Sequence, residues 1–214
     1  MKNKLKISAY EQNNQIASEN RQFLYNKGIF AINIIGSPGC GKTSILEYTA
    51  GHFKRSFGVI IGDVKTALDS NRIIKAGNNI SYPIETGGGC HISPAQLKEK
   101  LDIINTDIDF LFIENVGNLV CPSSFDLGEN FKVAVLSIPE GDEKVRKYPS
   151  LFLKAEAVII NKVDLLDFME YDIEQVEKDC RIHNPKVTIF RTSAKTGEGF
   201  QEFFDFLSEK RKHF

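Results

Sequence analysis

Short apolar runs punctuate the chain, each followed by glycine or polar residues and then by a longer mixed stretch. Phe30–Gly36 (FAINIIG) leads into a helix-like segment at 42–53, residues 57–62 (FGVIIG) into one at 67–76, and a weaker run at 80–85 into one at 94–104. Phe110–Glu114 (FLFIE), 132–138 (KVAVLSI), 157–160 (AVII) and 187–191 (VTIFR) continue the series, with late helices expected at 171–181 and 200–211. Short β-branched runs alternating with helical segments specify βαβ units. Strands apolar at successive positions are those buried on both sides. The pattern therefore predicts an α/β fold, with a mostly parallel central sheet covered by helices on both faces. Ligands of such a sheet bind beyond the carboxyl ends of its strands. Residues 1–28 differ: Ile16, Phe23 and Leu24 give only a weak helical stripe over 13–27, which Gly28 stops. They are expected to form a polar N-terminal arm or helix ahead of a single domain at 29–214.

Composition narrows the function. The 214 residues carry 27 Lys and Arg against 28 Asp and Glu, a balance that leaves no electrostatic footprint for nucleic acid or anionic lipid. The opening lysines precede no apolar stretch, so no signal peptide is expected. No run approaches the roughly 18 apolar residues of a membrane span. Four scattered cysteines are too few for a disulfide framework and point to a reducing, cytoplasmic setting.

The chemistry begins with Gly36-Ser37-Pro38-Gly39-Cys40-Gly41-Lys42-Thr43, followed by Ser44, between the first strand and the first helix of the domain. It matches G-x-x-x-x-G-K-[ST]. Glycines let backbone N–H groups converge on phosphate oxygens, and the helix end adds its positive dipole. Lys42 is expected on the β and γ phosphates, and the Thr43 hydroxyl on Mg²⁺. Asn161-Lys162-Val163-Asp164 follows another strand. A carboxylate there accepts from guanine N1–H and the exocyclic amine, which adenine cannot match. Lys162 would lie along the base and Asn161 would tie this loop to the phosphate loop. Ser193-Ala194-Lys195 follows the next strand and supplies a further base-contacting element. Together these favour GTP and GDP over ATP and argue against a metabolic kinase.

Mg²⁺ needs further oxygen ligands. Asp63 and Glu114, each at a strand end, are the candidates, and with Lys42 they are the expected catalytic groups. Glu114-Asn115-Val116-Gly117 resembles the D-x-x-G element of GTPases with Glu in place of Asp. No glutamine follows Gly117 to orient water, and no arginine finger is evident, so slow intrinsic hydrolysis is expected. Gly87-Gly88-Gly89-Cys90-His91 and Val120-Cys121-Pro122 follow two further strands. Thiolate with imidazole suits Ni²⁺, Zn²⁺ or copper rather than Mg²⁺. Three ligands fall short of a closed tetrahedral site, which two copies about a two-fold axis could complete. Cys40 and Cys180 read as packing residues, and His52, His183 and His213 show no partners.

The phosphate loop, GDVKT, ETGGGCH, ENVGNLVCPSSFDLGE, SIPEGDEKVRKYP and NKVDLL, in this order, closely resemble the HypB family, the nickel-insertion GTPases of [NiFe]-hydrogenase maturation. The resemblance covers roughly residues 20–210. It implies a P-loop GTPase whose homodimerisation and metal handling follow nucleotide state. It also implies Cys90, His91 and Cys121 as the Ni²⁺ or Zn²⁺ site, a HypA-type nickel chaperone as partner, and the hydrogenase large subunit as recipient. Some members carry an N-terminal cysteine motif or histidine-rich stretch, but residues 1–39 contain neither Cys nor His. The urease accessory GTPases (UreG) are similar in the phosphate loop and E-T-G-G, yet their metal motif reads C-P-H. A GTP-regulated interaction module with a structural Cys/His pair is the other alternative.

Overall fold

The computed structural model describes residues 2–63, 68–77, 80–104 and 107–214, and for 2–9, 63 and 68 the backbone alone. Seven strands form one sheet: β1 (Phe30–Gly36), β2 (Phe57–Asp63), β3 (Ser81–Glu85), β4 (Phe110–Glu114), β5 (Phe131–Ser137), β6 (Ala157–Asn161) and β7 (Thr188–Arg191). Their order is β3-β2-β4-β1-β5-β6-β7, and every adjacent pair is parallel. All carboxyl ends therefore open on one edge of the domain. The one proline within a strand, Pro83, sits in edge strand β3, where a missing N–H costs little.

Alternation along the central strands explains why they read as unbroken apolar runs. Phe30, Ile32 and Ile34 of β1 face one core, which is closed by α2 (Lys42–His52), α3 (Leu68–Lys75) and α9 (Phe200–Lys212). Ala31 and neighbouring Leu111 and Ile113 face the other side, covered by α1 (Lys2–Lys27) and α4 (Pro94–Leu101). Beside these, α7 (Pro149–Lys154) and α8 (Ile173–His183) cover β5 and β6 around Phe152, Val176 and Cys180. Burial on both faces is what selects Ile, Val and Phe at successive positions. Two short helices lack any apolar period to betray them: α5 (Cys121–Ser124) and α6 (Lys144–Lys147). Pro122 and Pro149 start α5 and α7, using prolines whose absent N–H would have been unpaired in a first turn.

The polar opening of the chain is one helix of 26 residues, beginning well before the weak stripe at 13–27. Among its described side chains the buried positions are Ala17, Asn20 and Leu24, spaced three and four apart, and two of them carry no large apolar side chain. Asn20 Nδ2 donates to the carbonyls of Pro94 at 2.9 Å and Leu127 at 3.0 Å. Gly128 takes φ +94°, and a Cβ there would lie 2.5 Å from the Ala17 carbonyl, so the helix rests directly on backbone. The ion pairs Arg21–Asp126 and Lys98–Glu19 flank this contact but are largely exposed to screening water and contribute little.

The buried amide should therefore outweigh the ion pairs. Asn20→Ala strands two buried carbonyls and should cost about 2 kcal/mol, lowering the calorimetric midpoint by about 4–8 °C. Arg21→Ala should move the midpoint by less than about half as much. Equal shifts for the two variants would refute this ranking.

Candidate functional site at the carboxyl edge of the sheet

β1 ends at Gly36, the chain turns through 37–40, and α2 starts at Lys42 behind Gly41, which adopts φ +99°. No side chain caps this helix, so its first amides stay available to an anion. Lys42 is buried, with Nζ donating to the carbonyls of Gly36 and Ser37 at 3.2 Å each. Thr43 Oγ1 donates to Glu114 Oε1 at 2.8 Å, across 71 residues of sequence. The second carboxylate oxygen of Glu114 is buried without a hydrogen-bond partner. Burial pushes this carboxyl up to about 7, against the opposing pull of Lys42 and the Thr43 hydroxyl. Gly117, three residues on, is packed against the phosphate loop: a Cβ there would lie 3.0 Å from Pro38 N and 3.1 Å from Pro38 Cα. Any larger residue would drive the two loops apart.

These groups line a cavity of about 490 Å³. Asp69 and Arg72 of α3 also reach it, and neither stands out in the sequence. Arg72 is held by Glu47 at 2.6 and 2.9 Å and by Asp69 at 3.0 Å. Asp63 closes β2 on the same sheet edge. Its side chain lies outside the described residues, as do Val64, Lys65 and Thr66 of the GDVKT segment.

A second cavity of about 550 Å³ adjoins the first, sharing Ser44 and Lys162 as walls. Tyr48, Asn161, Asp164, Ala194 and Lys195 are among its other walls. Asn161 Nδ2 donates to the Cys40 carbonyl at 3.0 Å, and Lys162 Nζ to the Gly39 carbonyl at 2.7 Å, stitching the β6 loop to the phosphate loop. Lys162 does so from a left-handed backbone (φ 64°), which no other non-glycine residue adopts among the described residues. Such a conformation costs of order 1–3 kcal/mol and persists where its surroundings fix it. Ser193 Oγ donates to Asp164 Oδ1 at 2.6 Å, and Ala194 N to Asn161 Oδ1 at 3.3 Å, so the loops after β6 and β7 are one unit. Lys195 stays exposed, 4.0 Å from Asp164.

The loops after β3 and β4 lie either side of β2 in the sheet and meet beyond its end. The candidate ligand atoms of Cys90, His91 and Cys121 all lie within 4.8 Å of one another. Cys90 Sγ is 3.5 Å from His91 Nδ1, and the imidazole stacks on Phe125 at 4.0 Å and 8°. The neighbouring Cys121 thiol pushes Cys90 above the ordinary thiol range, and burial holds His91 below the ordinary imidazole range. Two thiols beside an imidazole are a donor set from which a soft cation displaces protons. Cys90 is exposed and Cys121 half-buried. Cys40 and Cys180 are instead fully buried packing residues, their thiols pushed up to about 11 and 12 by desolvation. His52 and His213 do have partners, contrary to the sequence expectation: His52 Nδ1 meets the Tyr48 carbonyl at 2.8 Å, and His213 meets Glu209 at 3.2 Å.

Known proteins resemble this chain over most of its length. Residues 30–191 match the family model for the CobW/HypB/UreG nucleotide-binding domain. The hydrogenase/urease maturation factor HypB of Helicobacter pylori (strain J99) is 38% identical over 201 residues, covering 92% of this chain and 83% of that protein. The hydrogenase maturation factor HypB of Escherichia coli K12 is 40% identical over 210 residues, covering 97% of this chain and 72% of that one. The crystal structure of HypB from Helicobacter pylori in complex with nickel superposes with a TM-score of 0.91 at 38% identity, over 94% of this chain and 96% of that one. With its phosphate loop, its parallel sheet and these relatives in agreement, the chain belongs to the CobW/HypB/UreG family, and within it to the P-loop GTPases of the HypB maturation-factor type.

Proposed function

We propose that this protein is a GTP-hydrolysing metallochaperone that binds nickel and assists its insertion into [NiFe]-hydrogenase, with metal handling and homodimerisation coupled to nucleotide state. The observation that carries the reading is the convergence of two sites on one loop: the segment leaving β4 touches Thr43 through Glu114 and carries Cys121 seven residues later. Zn²⁺ suits the same three donors. Three ligands leave a coordination position for a partner copy, for a HypA-type chaperone, or for the hydrogenase large subunit that receives the metal. Free thiols suit work in the reducing cytoplasm, and among the described residues no helix is long and apolar enough to cross a membrane.

The geometry supports the following nucleotide roles. The 36–44 loop would cradle the phosphates and Lys42 would neutralise the β and γ oxygens. Asp164, held by Ser193, would accept from the guanine edge, with Lys162 along the base and Ala194 and Lys195 beside it. The donor chemistry fits Mg²⁺: Thr43 supplies a hydroxyl and Glu114 an unpartnered buried carboxylate oxygen. Asp63 is a third candidate from the same edge. Bound there, the ion would offset charge developing on the phosphates. Glu114 thus holds Thr43 in place and keeps one oxygen free for the ion or for water around it. Arg72 is occupied by two carboxylates, so it does not stand ready for the transferring phosphoryl group. This agrees with slow intrinsic turnover.

Three outcomes test this reading. Asp164→Asn replaces an acceptor oxygen facing guanine by a donor and should weaken GTP binding by about 100-fold. Titration with GTP and with xanthosine triphosphate should show the preference moving to the latter, and an unchanged GTP affinity would refute base recognition at Asp164. Cys121→Ala should weaken Ni²⁺ binding by at least about tenfold while GTP affinity stays within about twofold, because a ligand is lost and no nucleotide contact is touched. Nickel titration by calorimetry decides the matter, and retention of full affinity would remove Cys121 from the site.

The third outcome concerns pH. A carboxyl raised from 4.5 to about 7 keeps its proton in the folded chain while the unfolded chain has released it. Folding of the nucleotide- and metal-free protein therefore weakens as pH rises through that window, by about 3 kcal/mol at most. Glu114→Gln should flatten the profile of denaturation midpoint against pH. A wild-type profile with no slope across the window would refute the burial cost.

A further inference from the structure

We propose that Asn115 is the positioning residue through which nucleotide state is transmitted to the Cys90–His91 loop; this rests on the reading that the two sites are coupled. Asn115 follows Glu114 directly and is 1% exposed. Its Oδ1 accepts from its own neighbour Val116 N at 3.0 Å and from Ile92 N at 3.1 Å, the amide next after His91. Its Nδ2 donates to Asn33 Oδ1 at 3.1 Å, three residues upstream of Gly36 in β1. Asn33 Nδ2 in turn donates to Glu129 Oε1 at 3.0 Å, and Glu129 Oε2 accepts from Leu127 N at 2.7 Å and pairs through its other oxygen with Lys132. A buried polar chain thus runs beneath the sheet edge. It starts at the loop bearing Cys90 and His91, passes under the phosphate loop, and ends on the segment that follows Cys121.

The chain matters because none of its members can slacken unnoticed. A buried amide that loses its acceptor keeps no water in exchange. The Glu114–Gly117 segment is fixed on one side by Thr43 and by the contact of Gly117 with Pro38, so whatever the phosphates and cation do to that segment moves Asn115 Oδ1. Ile92 must then follow it or forfeit its hydrogen bond. Ile92 has little other freedom: it packs on Gly62 near the end of β2, where an added Cβ would lie 2.6 Å from Ile92 Cγ1. A displacement of Asn115 therefore reappears as a displacement of the backbone that carries Cys90 and His91. A second link between the same loops, Asn118 Nδ2 to the Cys90 carbonyl, is exposed and 3.4 Å long, and water can replace it at little cost.

The test compares wild type, Asn115→Ala, Asn115→Ser and Asn118→Ala for Ni²⁺ affinity with GDP and with a non-hydrolysable GTP analogue. Serine can still serve Val116 N locally but is too short to reach Ile92, and it guards against a fold defect in the alanine variant. Coupling between two sites in a protein is typically about 5–150-fold, and it must be equal seen from either ligand. The wild-type ratio of nickel affinities in the two nucleotide states should fall in that range. Both Asn115 variants should bring it below about twofold, with nickel affinity of the nucleotide-free protein and analogue affinity of the nickel-free protein each within about threefold of wild type. Asn118→Ala should leave the ratio unchanged. A wild-type ratio of one overturns the coupled reading and the role of Asn115 with it. A wild-type ratio above fivefold that the Asn115 variants retain, or that Asn118→Ala abolishes alone, overturns the role of Asn115 and leaves the coupled reading standing. Loss of both affinities at a retained ratio makes the residue merely structural and overturns its role equally.

Discussion

A carboxyl group held out of water at the end of β4 governs this molecule. Glu114 spends one oxygen on Thr43 and leaves the other unsatisfied, an arrangement that costs folding free energy whenever the group is ionised. Such a cost persists in a fold only where something later offsets it, and a hard cation is the natural complement of a desolvated, half-partnered carboxylate. The neighbouring residues are constrained by the same choice. With Glu114 pinned to α2 and Gly117 flattened on Pro38, the intervening backbone has almost no independent position. The site is accordingly less a set of separate loops than one junction, with the phosphate loop on one side and the Cys90–His91–Cys121 cluster on the other.

The parallel topology makes that junction available. In an all-parallel sheet every strand delivers its following loop to the same edge, and the order β3-β2-β4-β1 sets the loops after β3 and β4 astride β2, next to the phosphate loop. Cys90 and Cys121 come together for this reason although 31 positions separate them. Their proximity does not depend on a second copy of the chain.

What could be read from sequence follows the same physics. The strands were legible because cover on both faces demands uninterrupted branched and aromatic residues, and the phosphate loop because its chemistry is contiguous. The 200–212 helix was legible from its apolar stripe, and the 42–52 helix from its place after the phosphate loop. Helix α1 was underestimated because its buried stripe includes Ala17 and Asn20, which a hydrophobicity pattern counts as neutral or polar. The chain of Asn33, Asn115 and Glu129 was invisible for a related reason: polar residues within or beside apolar runs look like interruptions until their partners, 82 and 96 positions away, are known. Asp69 and Arg72 reach the cavity only through the packing of α3 on α2. Nothing local in the sequence marks them.

The shared amide of Asn20 has a consequence for traffic at the sulfur cluster. By bonding the Pro94 and Leu127 carbonyls together, it splices the segments that follow Cys90–His91 and Cys121 at their bases. An ion held there, on the proposed reading, would leave by substitution at the tips, one donor exchanged for another. The sole ligand of the three that stands fully open to solvent is Cys90. On the proposed metal role, an incoming thiol or imidazole would reach Cys90 first, which would give a hand-over from this cluster its starting point.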